Sequence, residues 1–186
     1  MAEAVAVHGY AATSVARVIE LAGISRGTFY EQFENRRECL LAAYDAISES
    51  FFEELTAACS GELPWRGRVA AAIGTAVRFA DTRPEQTRLL ALDTVAADRE
   101  AARRALAGAE RMAAMLRSGR EHHPKAMTLP DVTERALVGA VASAVNWRLL
   151  NGESLDGLEP QLVQLVLTPY LGPAAAARQA GKAGRG

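Results

Sequence analysis

Cysteine, aromatic side chains and net charge are all scarce in this 186-residue chain, and each scarcity removes a class of function. The two cysteines, Cys39 and Cys59, fall within one helical pattern. At about 1.5 Å per residue they stand roughly 30 Å apart, too far to pair, and they read as small buried thiols. The formal net charge is −1. A general basic coat is thereby excluded, and any DNA binding must come from a local surface. No apolar run approaches the roughly 20 residues that span a bilayer, and Met1 to His8 lack the basic start of a signal peptide. A cytoplasmic protein without membrane contact is therefore expected. His8 stands alone, and His122 and His123 are adjacent with no Cys or carboxylate at ligand spacing, so no metal site is expected. Gly-x-Ser-x-Gly, His-Glu-x-x-His and Gly-x-x-x-x-Gly-Lys are all missing, which argues against an enzyme and against a cofactor.

With aromatics at 6% and no long alternation of apolar and polar residues, the chain reads as all-α. Its breakers divide it into helices. The first, near Ala2 to His8, stops at Gly9 and Tyr10, and is shorter than helices of its type. The second runs from about Ser14 to Ala22, capped by Thr13 or Ser14 and stopped by Gly23. A short third spans Arg26 to Phe33 with Ser25 as N-cap, and a long fourth follows Asn35 to about Cys59. Beyond Pro64 come Trp65 to Thr82, a segment opened by Pro84 with Leu89, Leu90 and Leu92, and Ala97 to Arg117 with Leu106, Ala109, Met112, Ala113 and Leu116 on one side. A polar loop through Gly119, Pro124 and Pro130 precedes Asp131 to Leu150 and Leu158 to Leu171. The expected organisation is a DNA-binding domain over 1–48, a helical ligand-binding and dimerisation domain over 49–172, and a flexible tail over 173–186, which holds no large apolar residue.

Between Ser14 and Phe33 two short helices joined by Ala22-Gly23-Ile24-Ser25 form a helix-turn-helix candidate. Gly23 permits the positive φ that ends one helix, Ile24 fills the angle, and Ser25 caps the next. Val15, Val18, Ile19, Leu21, Phe29 and Phe33 supply a small core. The outer face of the second short helix keeps Arg26, Gly27, Thr28, Tyr30, Glu31 and Gln32, groups able to enter a groove about 12 Å wide.

These residues resemble the tetracycline-repressor (TetR) family of transcriptional regulators. The resemblance rests on Gly9-Tyr10-Ala11-Ala12-Thr13-Ser14-Val15, on Ala22-Gly23-Ile24-Ser25-Arg26-Gly27-Thr28-Phe29-Tyr30, and on Phe33 with Asn35-Arg36-Arg37-Glu38-Cys39-Leu40-Leu41. It implies a homodimeric regulator bound to double-stranded operator DNA, a repressor released by a small-molecule effector. It also implies DNA contacts from Ser14, Ser25, Arg26, Gly27, Thr28, Tyr30, Arg36 and Arg37. Ser14, Tyr30 and Arg36 stand as phosphate contacts, Arg26 as a cation able to fork onto a guanine edge, and Thr28 as a contact to a thymine methyl or a phosphate. The family carries another turn or two and a basic arm ahead of the position of Met1. Up to Ser48 the chain has four arginines against six carboxylates, and Glu31 either accepts from a cytosine amino group or is solvated. The alternative function is a helical ligand-binding or adaptor dimer that has lost DNA binding.

Ala136, Ala140 and Ala144 recur every four residues, and small side chains on one stripe let two helices approach closely. The resemblance places this stripe, with Leu162, Leu165 and Val166, in a dimer interface. Trp65, Phe79, Met112, Met115, Asn146 and Trp147 are candidates for an effector pocket, with Asn146 and Trp147 also open to a role at the interface. Asp98, Arg99, Glu100, Arg103 and Arg104 read as a solvated helix face.

Overall fold

The computed structural model describes residues 1–61, 63–90 and 98–183, and within them the chain forms ten α-helices and two short 3₁₀ turns with no strand. The expected segment at Leu92 and the start at Ala97 lie outside the described residues. The amino-terminal unit comprises α1 (Ala2–Ala12), α2 (Val15–Ala22), α3 (Arg26–Gln32) and the first turns of α4 (Arg36–Ala58). Helix α1 breaks at Gly9, as the sequence indicates, and resumes for one turn. Thr13 is fully buried and donates to the Ala4 and Gly9 carbonyls at 3.1 and 2.8 Å, so it locks α1. The cap of α2 is accordingly Ser14, whose Oγ accepts from the Arg17 amide.

Val18 and Phe29 pack with Ala4 of α1 and Cys39 of α4, ringed by Met1, Val15, Ile19 and Phe33. Leu21 and Ile24, expected in this core, are exposed. The adjoining helices fill the space instead, so the turn itself needs no apolar plug.

The larger unit packs α5 (Trp65–Thr82) against α9 (Leu158–Leu171), with α6 (Pro84–Arg88), α7 (Arg99–Arg117) and α8 (Thr133–Asn151) around them. Its core joins Trp65, Val69, Ile73 and Val77 to Leu162, Val163, Val166, Leu167 and Tyr170. Leu106 of α7, expected on the inner side, is exposed. The loop after α7 coils into 3₁₀ turns at Ser118–His122 and Pro124–Thr128. Gly119 lies against the Trp65 indole so closely that a Cβ there would overlap the ring. The turns are held by Glu134, fully buried, whose carboxylate accepts from Arg120 Nε at 2.7 Å, Arg120 Nη2 at 2.9 Å and the Tyr170 hydroxyl at 2.9 Å. Those hydrogen bonds, Arg120 first, hold the Glu134 carboxyl below its ordinary value, while burial and the same carboxylate push the Tyr170 hydroxyl up.

The segment expected as a flexible tail is helical as α10 (Pro173–Ala183). Ala176 and Ala180, one turn apart, are buried in the main core. A lack of large apolar residues is thus not a lack of packing. Here the methyl groups are what let α10 lie closely on α9 and α5.

Candidate nucleic-acid interface

Helix α3 is placed by its two ends. Gly23 takes φ 65°, ψ 29° and so turns the chain out of α2 in the left-handed region that a Cβ resists. Two residues on, the Ser25 Oγ accepts from the Thr28 amide at 3.0 Å and meets the Thr28 hydroxyl at 2.9 Å. Of the seven residues of α3 only Phe29 is buried. The rest of the helix, with Arg26, Gly27, Thr28, Tyr30, Glu31 and Gln32, is open to a partner.

Arg26 lies 5.6 Å from the centre of the Tyr30 ring, a cation–π pair one turn apart that holds both side chains to the same face. Neither Arg17 nor Arg26 forms an ion pair among the described residues. Gly27 is informative by what surrounds it: a Cβ would meet only the Ser25 Oγ at 3.5 Å, an ordinary contact. Nothing inside the protein calls for a glycine in this helix, where it costs about 1 kcal/mol relative to alanine.

Arg36 and Arg37 are both engaged within the protein. Arg36 turns inward: its Nη1 donates to the carbonyls of Tyr10 at 3.1 Å and Thr13 at 2.5 Å, and its guanidinium lies 4.2 Å from the Tyr10 ring centre. It thus caps the end of α1 and pins that helix to the start of α4. Arg37 is forked onto Asp98, Nε to Oδ2 at 2.5 Å and Nη2 to Oδ1 at 3.1 Å. That pairing draws the Asp98 carboxyl below its ordinary value. Asp98 also caps α7, accepting from the Glu100 and Ala101 amides. Behind this fork Arg104 pairs with Asp45 and with Glu100. The charge run of α7 therefore divides: Asp98 and Arg104 reach α4 at the seam between the two units, while Arg99 and Arg103 lie on a solvated face, Arg103 paired with Glu100. The sequence pattern places Asp98 on a solvated face, although Asp at a helix start is among the preferred N-caps.

A family model for bacterial regulatory proteins of the tetR family matches residues 2–43, the stretch that builds this interface. Over that stretch the chain is similar to the TetR family. Solved structures carry the likeness over the rest of the fold. The fatty acid degradation regulator FadR from Bacillus halodurans superposes with a TM-score of 0.80 at 17% identity, over 89% of this chain and 93% of that one. FadR from Bacillus subtilis, in complex with stearoyl-CoA, gives 0.75 at 16% identity over 92% and 94%. A TetR-family regulator from Marinobacter aquaeolei VT8 gives 0.69 at 21% over 98% and 90%. No curated protein matches the chain in sequence.

Beyond that stretch, the expected pocket residues are not gathered around one cavity. Trp65 is buried, stacked on Tyr170 and His123, with its Nε1 donating to the Met115 carbonyl at 3.2 Å. Phe79 packs edge-on to Phe51, and Met112 lies against the main core. Trp147 is 66% exposed and is not part of the cleft between α4 and α7. Asn146 is buried at 9% exposure, and its Oδ1 finds no hydrogen-bond partner among the described residues. The cleft between α4 and α7, of about 770 Å³, has Tyr44, Phe52, Ala57 and Gly108 among its apolar lining and Glu49, Glu53, Arg104 and Arg111 among its charges. Arg111 rides on the Phe52 ring, 3.7 Å from its centre. The interface candidates also divide. Leu162 and Val166 are buried in the protomer's own core, and Ala144 packs against it, whereas Ala136 and Leu165 are exposed. Both α8 and α9 are apolar on more than one side, so sequence spacing alone chose the wrong face for Leu162 and Val166. Burial raises both cysteine thiols, Cys39 and Cys59, so neither is a ready nucleophile. Among the described residues no group of His, Cys, Asp and Glu is arranged to hold a metal, and no helix is long and apolar enough to cross a membrane.

Proposed function

We propose that this protein is a cytoplasmic, homodimeric repressor that inserts α3 into the major groove of operator DNA and releases it when a small molecule binds the larger unit. One observation carries the reading: a helix whose only buried residue is Phe29 presents Arg26, Gly27, Thr28 and Tyr30 together on an open face. Such a helix contributes little to the core and much to a surface. Ser14 and Tyr30 are the phosphate contacts, Arg26 and Thr28 the base-reading pair.

Exposed Trp147 and Leu150 on α8 and Leu165 on α9, beside the small Ala136, form the face that meets a second copy. Dimerisation sets two recognition helices at the roughly 34–36 Å of successive major grooves. The effector is an amphiphile, and an acyl-CoA is the first to test, because the Bacillus subtilis FadR fold holds stearoyl-CoA. The cleft between α4 and α7 has the size of a small-molecule site, and α4 links it directly to the reading unit.

Fluorescence anisotropy with duplex DNA from upstream of the protein's own gene tests the reading. Binding that weakens steeply with salt and is reversed by stearoyl-CoA supports it. A second reading, a ligand-binding or adaptor dimer without DNA affinity, draws on the engagement of Arg36 by backbone carbonyls and of Arg37 by Asp98. Absent or salt-independent binding would favour it.

A further inference from the structure

The amino-terminal unit is poor in free cations. Its four arginines face six carboxylates up to Ser48, and two of the four are already engaged, Arg36 with backbone carbonyls and Arg37 with Asp98. Among the described residues, Arg17 and Arg26 form no ion pair. Yet Arg37 is well placed for DNA. It lies five residues beyond the end of α3, in the first turn of α4, and its side chain is 54% exposed. With α3 in a groove about 12 Å wide, a flanking phosphate strand passes within reach of such a side chain. A guanidinium fork fits a carboxylate and a phosphate alike, two parallel N–H···O bonds in each case.

We propose that Asp98 is a built-in competitor for the DNA backbone at Arg37. Its carboxylate occupies, from the larger unit, the guanidinium fork that a phosphate oxygen pair would take. The inference rests on the DNA-binding reading and adds a switch to it. With the fork closed, Arg37 is neutralised and the start of α4 is tied to the start of α7. With it open, the reading unit gains a third free cation per subunit, and α4 is released from one of its two ionic ties to α7, the other being Arg104 with Asp45. Asp98 is only 11% exposed and is fixed by the Glu100 and Ala101 amides, so the competitor is rigid and it is the arginine that moves. Anything that shifts the start of α7 relative to α4 therefore alters the charge presented to DNA.

Asp98→Asn is the decisive variant. Asparagine is an equally good N-cap, so it keeps the helix start while removing the charge that holds Arg37. The probe is a fluorescein-labelled duplex of mixed sequence at low salt, since phosphate contacts do not depend on sequence. Asp98→Asn should bind about three- to tenfold more tightly than the wild-type protein, the range expected of two weakly screened surface ion pairs per dimer. Arg37→Ala should bind more weakly and lower the slope of log K against log salt by about two, one phosphate per subunit. In the Arg37→Ala background, Asp98→Asn should bring no gain. Equal affinity for Asp98→Asn and wild type, the same gain without Arg37, or an unchanged salt slope for Arg37→Ala would each overturn the proposal. A wild-type protein that fails to bind the duplex overturns the DNA-binding reading itself, a result distinct from those three.

Discussion

Helices α3 and α5 use their residues in opposite ways. In α3 one of seven side chains is buried; in α5 ten of 18 residues are. Burial stabilises at roughly 25 cal/mol per Å² of apolar surface, so α5 anchors its unit, whereas α3 depends on Phe29 and on the caps at its two ends. Elements with few buried contacts open first. The comparison teaches that the reading unit is built as a lightly held surface on a firmly packed support, and each of the following measurements can break or sharpen that contrast.

The largest effect is expected at the single anchor of α3. Phe29→Ala removes the side chain that packs on Val18, Ala4 and Cys39, a loss of about 3–5 kcal/mol for a buried phenylalanine. If the two units are as unlike as their burial suggests, hydrogen exchange will show protection lost over α1 to α3 and retained in α5 and α9. A uniform loss across both units would mean that they unfold as one, and the contrast would fail.

Gly119→Ala is the matching test in the support. The added Cβ falls on the Trp65 indole, which is itself held by its hydrogen bond to Met115, and overpacking of this kind costs about 1–3 kcal/mol. A denaturant melt should show a lowered midpoint while the affinity of correctly folded protein for DNA stays unchanged. The next effect is gated by pH. The Glu134 carboxyl is held below its ordinary value by Arg120 and Tyr170. A carboxyl depressed on folding contributes stability that is present above its unfolded value and is lost as pH falls through the folded one. Glu134→Gln should therefore lower the thermal midpoint at pH 7, and the gap from wild type should close on acidification below the ordinary carboxyl value of 4.5. A gap that stays constant with pH would assign the loss to packing alone.

The same contrast decides how much was legible beforehand. The caps at Ser14, Ser25 and Asn35, the left-handed Gly23 and the bounds of α5 and α9 could all be read, because each depends on residues a few positions apart. The fates of Arg36 and Arg37 could not: their partners lie up to 26 and 61 residues away, and a local reading sees only two cations at a helix start. In the support the error took another form. The sides of α8 and α9 that face inward were ambiguous because both helices are apolar around much of their circumference, so Leu162 and Val166 went to an interface and Trp147 to a pocket. For the tail, composition misled, since alanine packs where helices run close.

The smallest change gives the most discriminating outcome. Gly27→Ala replaces a glycine inside α3 by the best helix former, and the new methyl meets no more than the Ser25 Oγ at 3.5 Å. By helix propensity the folded unit should gain about 0.5–1 kcal/mol. If Gly27 is there so that the helix backbone can lie close to DNA, the same methyl stands between α3 and the groove, and affinity for the duplex should fall while the thermal midpoint rises. Stability and binding then move in opposite directions for one methyl group, which a merely tolerant surface would not produce. A midpoint that rises with affinity unchanged would place the DNA against another face of α3, and Arg26 and Tyr30, which share the open side with Gly27, would have to be reassigned with it.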